Sequence, residues 1–249
     1  MNQTFDRGLQ ILETIRAAGK GGLSMAAIAH HTGIQRSTVY RYVDVLRARG
    51  YVQSLNKPSM VAAAPSVQKM NSDSRAIHHM AHALRRISDA TGDSSFLVRA
   101  DNGDSLCLHR ELGSYPVQVL AVTIGYRQPL GVGAAGLALL ANQTDDTITA
   151  ILADNADRLP RFGGMTRARM EQLILTTRER GWSAVGNAAV PGVLGVGLPV
   201  ACENGPAQYA VSVSSIMTRM PLSRQRFIID VMRRELAPAK PFASPDDSR

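Results

Sequence analysis

Two helix-period runs of apolar residues, separated by one glycine, stand out between residues 24 and 46. In the first, Ile28 and Ala29 give a small apolar face and Ala26 and Ala27 keep the helix slim. Ser24 sits where its hydroxyl can accept a hydrogen bond from an open N–H of the first turn. Gly33 falls where the chain must turn sharply, with a positive φ that glycine adopts without steric cost. In the second run Val39, Val43 and Leu46 recur at i, i+4 and i+7, the inward stripe of a helix. Arg36, Ser37, Tyr40, Arg41 and Asp44 point away from that stripe. Before this pair, Phe5, Leu9, Leu12 and, roughly, Ile15 predict an amphipathic helix ended by Gly19-Lys20-Gly21-Gly22. After it, Tyr51–Leu55 and Met60–Ala63 read as strands around the turn Asn56-Lys57-Pro58-Ser59. Three helices and then a hairpin are the order of a winged helix-turn-helix; a plain three-helix bundle with a solvated basic face is the alternative.

Beyond the hairpin the pattern changes. Residues 65–74 are polar and mixed, a linker or the start of a connecting helix, and Arg75 to about Ala90 carries the stripe Ile77, Met80, Ala81, Leu84, Ile87. Ser95–Arg99, Ser105–His109 and Val117–Ala121 are strand-like, the first two joined by the hairpin signal Asp101-Asn102-Gly103-Asp104. Gly133–Ala141, Asp145–Ala153 and Thr166–Arg180 read as helices, the last stopped at Gly181. Val193–Val200 and Gln208–Ser215 read as strands linked through Glu203-Asn204-Gly205, and Leu222–Leu236 as a closing helix. The fold class is α+β with an antiparallel sheet. The expected domains are a winged helix-turn-helix over residues 1–65, a linker helix region over 66–91, a second domain over 92–239 and a disordered tail over 240–249.

Charge adds to the first pattern. Residues 1–68 hold eight Lys/Arg against three acids, a net +5 of the chain's +8. A concentrated positive field favours a polyanion through counterion release, although arginine outnumbers lysine throughout the chain. With 249 residues and 45% hydrophobic content there is room for two domains and a sizeable core. No run approaches the ~20 apolar residues of a membrane span, no signal peptide is visible, and the two cysteines, Cys107 and Cys202, form no CxxC arrangement. A cytoplasmic protein with no membrane association is expected.

The candidate chemistry is sparse. Gly131-Val132-Gly133-Ala134-Ala135-Gly136 spells GxGxxG, but no second strand ending in an acid follows at the spacing a dinucleotide site needs. The run reads instead as a Gly-rich helix start, either holding a small anion on free N–H groups or packing closely on a sheet. His78 and His82 are spaced for chelation but have no acidic or cysteine partner nearby, so no metal and no cofactor are expected. Ser212 and Ser214 alternate with Val211 and Val213 and share one strand face, either the tip of a pocket or, with the valines inward, solvent. No catalytic motif places a nucleophile beside His109, Arg110 or Glu111.

Taken together the chain resembles the IclR family of bacterial transcriptional regulators. Arg7–Leu12 is similar to the family's opening helix, and Leu23–Ala29, Gly33-Ile34 and Ser37–Arg41 to its helix-turn-helix. Gly125, Pro129-Leu130, Ala134–Gly136, Leu139–Ala141, Arg180–Trp182, Pro191–Val193 and Val211–Ser214 are similar to its second domain. The resemblance implies a GAF-like effector-binding domain for a small organic molecule, often a carboxylic acid or an aromatic compound. It also implies homodimers or homotetramers on partly palindromic operators, with effector contacts carried over to Gly133, Ala134, Ala135, Ser212 and Ser214. Leu137 stands where the family usually has lysine, Ala189 where it has glutamate, and Val185 and Gly195 where some members have polar or sulfur-bearing residues, so the pocket is less polar. The wing lacks the usual tyrosine and arginine.

The expectation is therefore a ligand-responsive transcriptional regulator and not an enzyme, whose partners are double-stranded operator DNA and a small-molecule effector. The residues expected at DNA are Ser24, Gln35, Arg36, Ser37, Thr38, Tyr40, Arg41 and, from the wing, Lys57. The rival is an enzyme acting on a small organic acid, using His109, Arg110 or Cys107, with an accessory DNA-binding domain.

Overall fold

The computed structural model describes residues 3–57, 59–201 and 205–237, and the chain divides after Arg75 into two units. In the first, α1 (Gln3–Ala17) is followed by β1 (Leu23–Ser24), α2 (Met25–Thr32), α3 (Arg36–Ala48), β2 (Val52–Ser54) and β3 (Met60–Ala63). The strands form a small antiparallel sheet in the order β1-β3-β2. Its core is built from Ile11, Ile15, Met25, Ile28, Val39, Val43, Val52 and Val61, so the inward stripe of α3 lies where the spacing puts it. The stripe of α1 is turned: Ile11 and Ile15, four apart, are buried, while Phe5 is 67% and Leu9 42% exposed. Helix α1 meets α2, α3 and β3, with Ile11 and Ile15 in their shared core.

A single helix, α4 (Pro65–Thr91), follows. Its first residue is a proline, whose missing N–H is one the first turn leaves unpaired anyway, so residues 65–74 begin the helix and are not a separate linker. The second unit is then β4 (Ser94–Asp101), β5 (Asp104–Glu111), β6 (Arg127–Pro129), α5 (Ala134–Ala141), α6 (Asp145–Asp154), α7 (Arg167–Arg180), β7 (Ser183–Gly186), β8 (Val193–Pro199), β9 (Tyr209–Ile216) and α8 (Leu222–Leu236). Six strands form one sheet in the order β6-β5-β4-β9-β8-β7, antiparallel at every joint. One face is covered by the second half of α4 and by α8, through Met80, Leu84, Ile87, Ile228 and Met232 on Leu97, Val211 and Val213. The other is covered by α5 and its neighbours, through Leu137, Leu140 and Met170 beside Phe96 and Val98. All eight residues of α5 are buried, which is why its sequence is apolar all round.

Two expectations change. Val117–Ala121 is not a strand: the edge of β5 is taken by Arg127–Pro129. The backbone of the earlier segment is satisfied by side chains, with Arg110 donating to the carbonyls of Leu120 and Val122 and Val119 N–H donating to Ser94 Oγ. Strand β7 is an element the pattern did not announce. Pro58, Cys202, Glu203, Asn204 and the expected tail over 240–249 lie outside the described residues.

Where α4 ends, Asp93 is buried and makes ion pairs with Arg219 at 3.2 Å and Arg224 at 3.0 Å, while Ser215 Oγ donates to it at 2.7 Å. Arg224 also donates to Thr91 O. A buried carboxylate so surrounded ties the end of α4 to β9 and to the start of α8.

Candidate functional site

In the first unit, Ser24 caps α2, its hydroxyl accepting from Ala27 N–H at 3.2 Å. Gly33 ends that helix at φ 66°; a Cβ there would meet nothing within 4 Å, so the requirement for glycine is conformational. Thr32 Oγ1 donates to Ile28 O and accepts from Ile34 N–H, closing the turn. Gln35 then caps α3 through its backbone, its carbonyl accepting from Thr38 and Val39, while no side chain caps the helix. Gln35, Arg36, Ser37, Tyr40 and Arg41 are exposed and Thr38 half-buried. Six of the eight expected DNA-facing residues thus share the first two turns of α3 or their cap.

Lys57 is exposed in the wing turn. Ser59, unremarked in the sequence, sits there at φ 59°. Hydrogen bonds from Ser59 and Arg36 hold the Tyr40 phenol below its ordinary pKa, and the Arg36 guanidinium lies 5.9 Å from the Tyr40 ring centre. The tyrosine therefore bridges α3 and the wing. A groove between them is lined by Tyr40, Asp44, Arg47, Lys57 and Ser59, with Asp44 paired to Arg47 at 2.9 Å. Nothing in the local pattern of the turn pointed to Ser59, since its role is to meet a helix some twenty residues earlier.

In the second unit, a cavity of about 50 Å³ lies between the sheet and the start of α5. Ser212 and Ser214 both line it, as do Gly133, Ala134 and Ala135, so all five residues carried over for the effector come together. The strand register explains the space. Ser212 pairs with Phe96 and Gly197, and Ser214 with Ser94 and Gly195, so each serine faces a glycine on β8. A Cβ at Gly195 would fall 2.8 Å from Ser214 Oγ and 3.0 Å from Ala134 Cβ. One at Gly197 would fall 2.8 Å from both Ala134 O and Ser183 Oγ. The absent side chains let α5 approach, and Ser183 Oγ, donating to Ala134 O at 2.6 Å, fixes it there. Val211 and Val213 are fully buried on the opposite face, so serines and valines both point into protein, toward different layers.

The remaining wall is apolar, from Phe96, Val98, Val119, Val122, Val185 and Val193, and among the described residues no charged side chain lines the cavity. Gln128 is the one polar lining residue besides the serines, and it was missed in the sequence. It is 8% exposed, and its Oε1 is buried with no hydrogen-bond partner among the described residues. An unpaired buried carbonyl costs about 1–3 kcal/mol. Its only sequence signal is a polar residue just before Pro129 in a buried edge strand. The helix above the cavity starts at Gly133 without a side-chain cap, leaving its first N–H groups open to an acceptor. The GxGxxG spelling has a packing reason instead of a dinucleotide one: a Cβ at Gly131 (φ 103°) would strike Met170 and Leu140, and Gly136 packs on Ser105.

The groups of the enzyme alternative do not converge on this cavity. His109 pairs with Glu111 at 2.8 Å, Arg110 is spent on the carbonyls of residues 120 and 122, and burial pushes the Cys107 thiol up to about 11. A thiol so raised is a poor nucleophile at neutral pH.

A winged helix-turn-helix followed by a domain whose antiparallel sheet carries a small cavity is the architecture of a DNA-binding regulator. Residues 4–55 match the model of the IclR helix-turn-helix domain and residues 68–235 that of the bacterial transcriptional regulator IclR C-terminal domain. The chain belongs to the IclR family of transcriptional regulators. It is 27% identical over 237 residues to the HTH-type transcriptional regulator BhcR of Paracoccus denitrificans, covering 92% of this chain and 83% of that protein. To the transcriptional repressor IclR of Escherichia coli it is 21% identical over 224 residues, covering 88% and 81%. Its fold is similar to that of the Thermotoga maritima IclR crystal structure, with a TM-score of 0.60 at 19% identity over 95% of this chain and 97% of that one. Among the described residues no helix is long and apolar enough to cross a membrane.

Proposed function

We propose that this regulator is ligand-responsive: it binds a partly palindromic operator as a homodimer or homotetramer in the cytoplasm, and a small organic acid held in the second-unit cavity shifts its DNA affinity. The observation that carries the reading is the convergence of Ser212, Ser214, Gln128 and the uncapped start of α5 on one partly open cavity with an otherwise apolar wall. Such a space offers hydrogen-bond donors to an acid while its apolar walls exclude water. A cavity of about 50 Å³ is well under the ~150 Å³ that accommodates benzene in an engineered apolar site, which favours a short aliphatic acid over an aromatic one. The chain acts by binding and not by turnover, because the side chains an enzyme would draw on are committed to structural bonds. Arg36, Ser37, Thr38, Tyr40 and Arg41, with Gln35 and Lys57 in support, contact the operator, and Ser24 serves them by capping α2. To switch, the acid must bind the DNA-competent and DNA-incompetent arrangements with different affinity.

The test has two readouts. Operator fragments selected by the protein from a random duplex pool should contain inverted repeats, and Arg36→Ala with Arg41→Ala should weaken binding to them at least ~10-fold and reduce the salt slope by up to about 2. Unchanged affinity in that pair removes the DNA assignment. A short acid that raises the melting temperature, alters operator binding and is recovered chemically intact supports the switch; an acid consumed on incubation makes the chain an enzyme.

A further inference from the structure

We propose that Gln128 sets the specificity of the cavity, pairing through Oε1 with a donor carried beside the ligand's carboxylate. The pocket then takes a short aliphatic 2-hydroxy acid in preference to the unsubstituted acid. This rests on the reading of the cavity as the effector site.

The start of α5 presents N–H donors with no side-chain cap, and the hydroxyls of Ser212 and Ser214 rotate to donate or accept. These suit a carboxylate, which accepts only. Oε1 of Gln128 is the group left over: an acceptor, buried, without a donor among the described residues. Buried polar atoms are nearly always paired in a functioning state, and the terminal amide torsion of glutamine is soft enough to swing toward a ligand. The missing partner is therefore a ligand donor. It is a hydroxyl and not an ammonium, because the open start of α5 favours negative charge beside it and one amide oxygen leaves most of an ammonium's three donors unmet. The interior space of about 50 Å³ favours a small acid. The apolar residues opposite meet its alkyl end.

Isothermal titration of the full chain with 2-hydroxypropanoate, propanoate and 2-oxopropanoate tests this, in the natural protein and in Gln128→Leu. The natural protein should bind 2-hydroxypropanoate roughly 10-fold or more tightly than propanoate. In Gln128→Leu that ratio should fall below about 2-fold. The ligand-free variant should melt no lower than the natural protein, since it removes an unpaired acceptor. Equal binding of the two acids by the natural protein overturns the inference, as does a preference retained in the variant or tighter binding of 2-oxopropanoate. Should the leucine variant not fold, Gln128→Met repeats the comparison at equal chain length. Binding without a hydroxyl preference removes only this inference. If neither protein binds any of the three acids, the effector reading falls with it.

Discussion

The two units of this chain present function in opposite ways. In the first, the candidate residues are outward-facing side chains on a helix whose other face is a small core of isoleucine and valine. Each of Arg36, Ser37, Tyr40 and Arg41 brings a group to a surface, with Arg36 and Tyr40 coupled by their own hydrogen bond. In the second, the candidate site is made by what is missing: glycines at 195 and 197 leave room beside two serines, and α5 comes close because no side chain prevents it. A convex site tolerates a loosely packed support, whereas a cavity exists only while every wall stays in place. The second unit is accordingly the one with helices on both sheet faces and a buried carboxylate tying three segments together.

That contrast can be broken most forcefully at Asp93. Removing it by Asp93→Ala leaves Arg219 and Arg224 without their buried partner, and loss of one member of such a cluster costs about 3–5 kcal/mol. The single tryptophan, Trp182, is buried in the second unit, so urea unfolding followed by its fluorescence should move to lower denaturant. An unchanged midpoint would mean that the cluster is dispensable to the second unit.

Ile28→Ala addresses the first unit. Ile28 is fully buried between the helices, and truncating such a side chain costs about 2–5 kcal/mol. Operator binding should fall with the population of the folded helix pair, while the Trp182 transition keeps its midpoint. If both move together, the units do not unfold independently.

The smallest effect separates two roles for Ser24. Its hydroxyl caps α2, so Ser24→Ala should cost about 1 kcal/mol and Ser24→Gly only a few tenths, read by circular dichroism melts. DNA affinity measured well below the melting temperature should be nearly unchanged in both. A large loss of affinity at full folding would make Ser24 a direct DNA contact.

Legibility followed the same division. The helix-turn-helix was readable because local rules act there: a cap, a left-handed glycine and an i, i+4, i+7 stripe each dictate a conformation within a few residues. Helix α5 was readable because a run apolar on all sides has to be buried. Val117–Ala121 misled because its alternation is that of a strand, yet Ser94 and Arg110 satisfy its backbone from elsewhere in the chain. Strand β7 has no sequence signature of its own, because Ser183-Ala184-Val185-Gly186 is short and carries little hydrophobic signal. The burial of Ser212 and Ser214 is not written in their segment, since strand alternation fixes which residues share a face but not what covers it.

The sequence by itself determined the family, the order of the elements, the glycine turn at 33 and the outward set on α3, because each depends on spacing along one segment. Only the tertiary structure decided that Ser59 reaches Tyr40, that glycines on β8 face the serines of β9, and that Gln128 Oε1 finds no hydrogen-bond partner among the described residues. Those relations join residues far apart in the chain, and their energies come from register, close approach and desolvation, which exist only once the elements have packed.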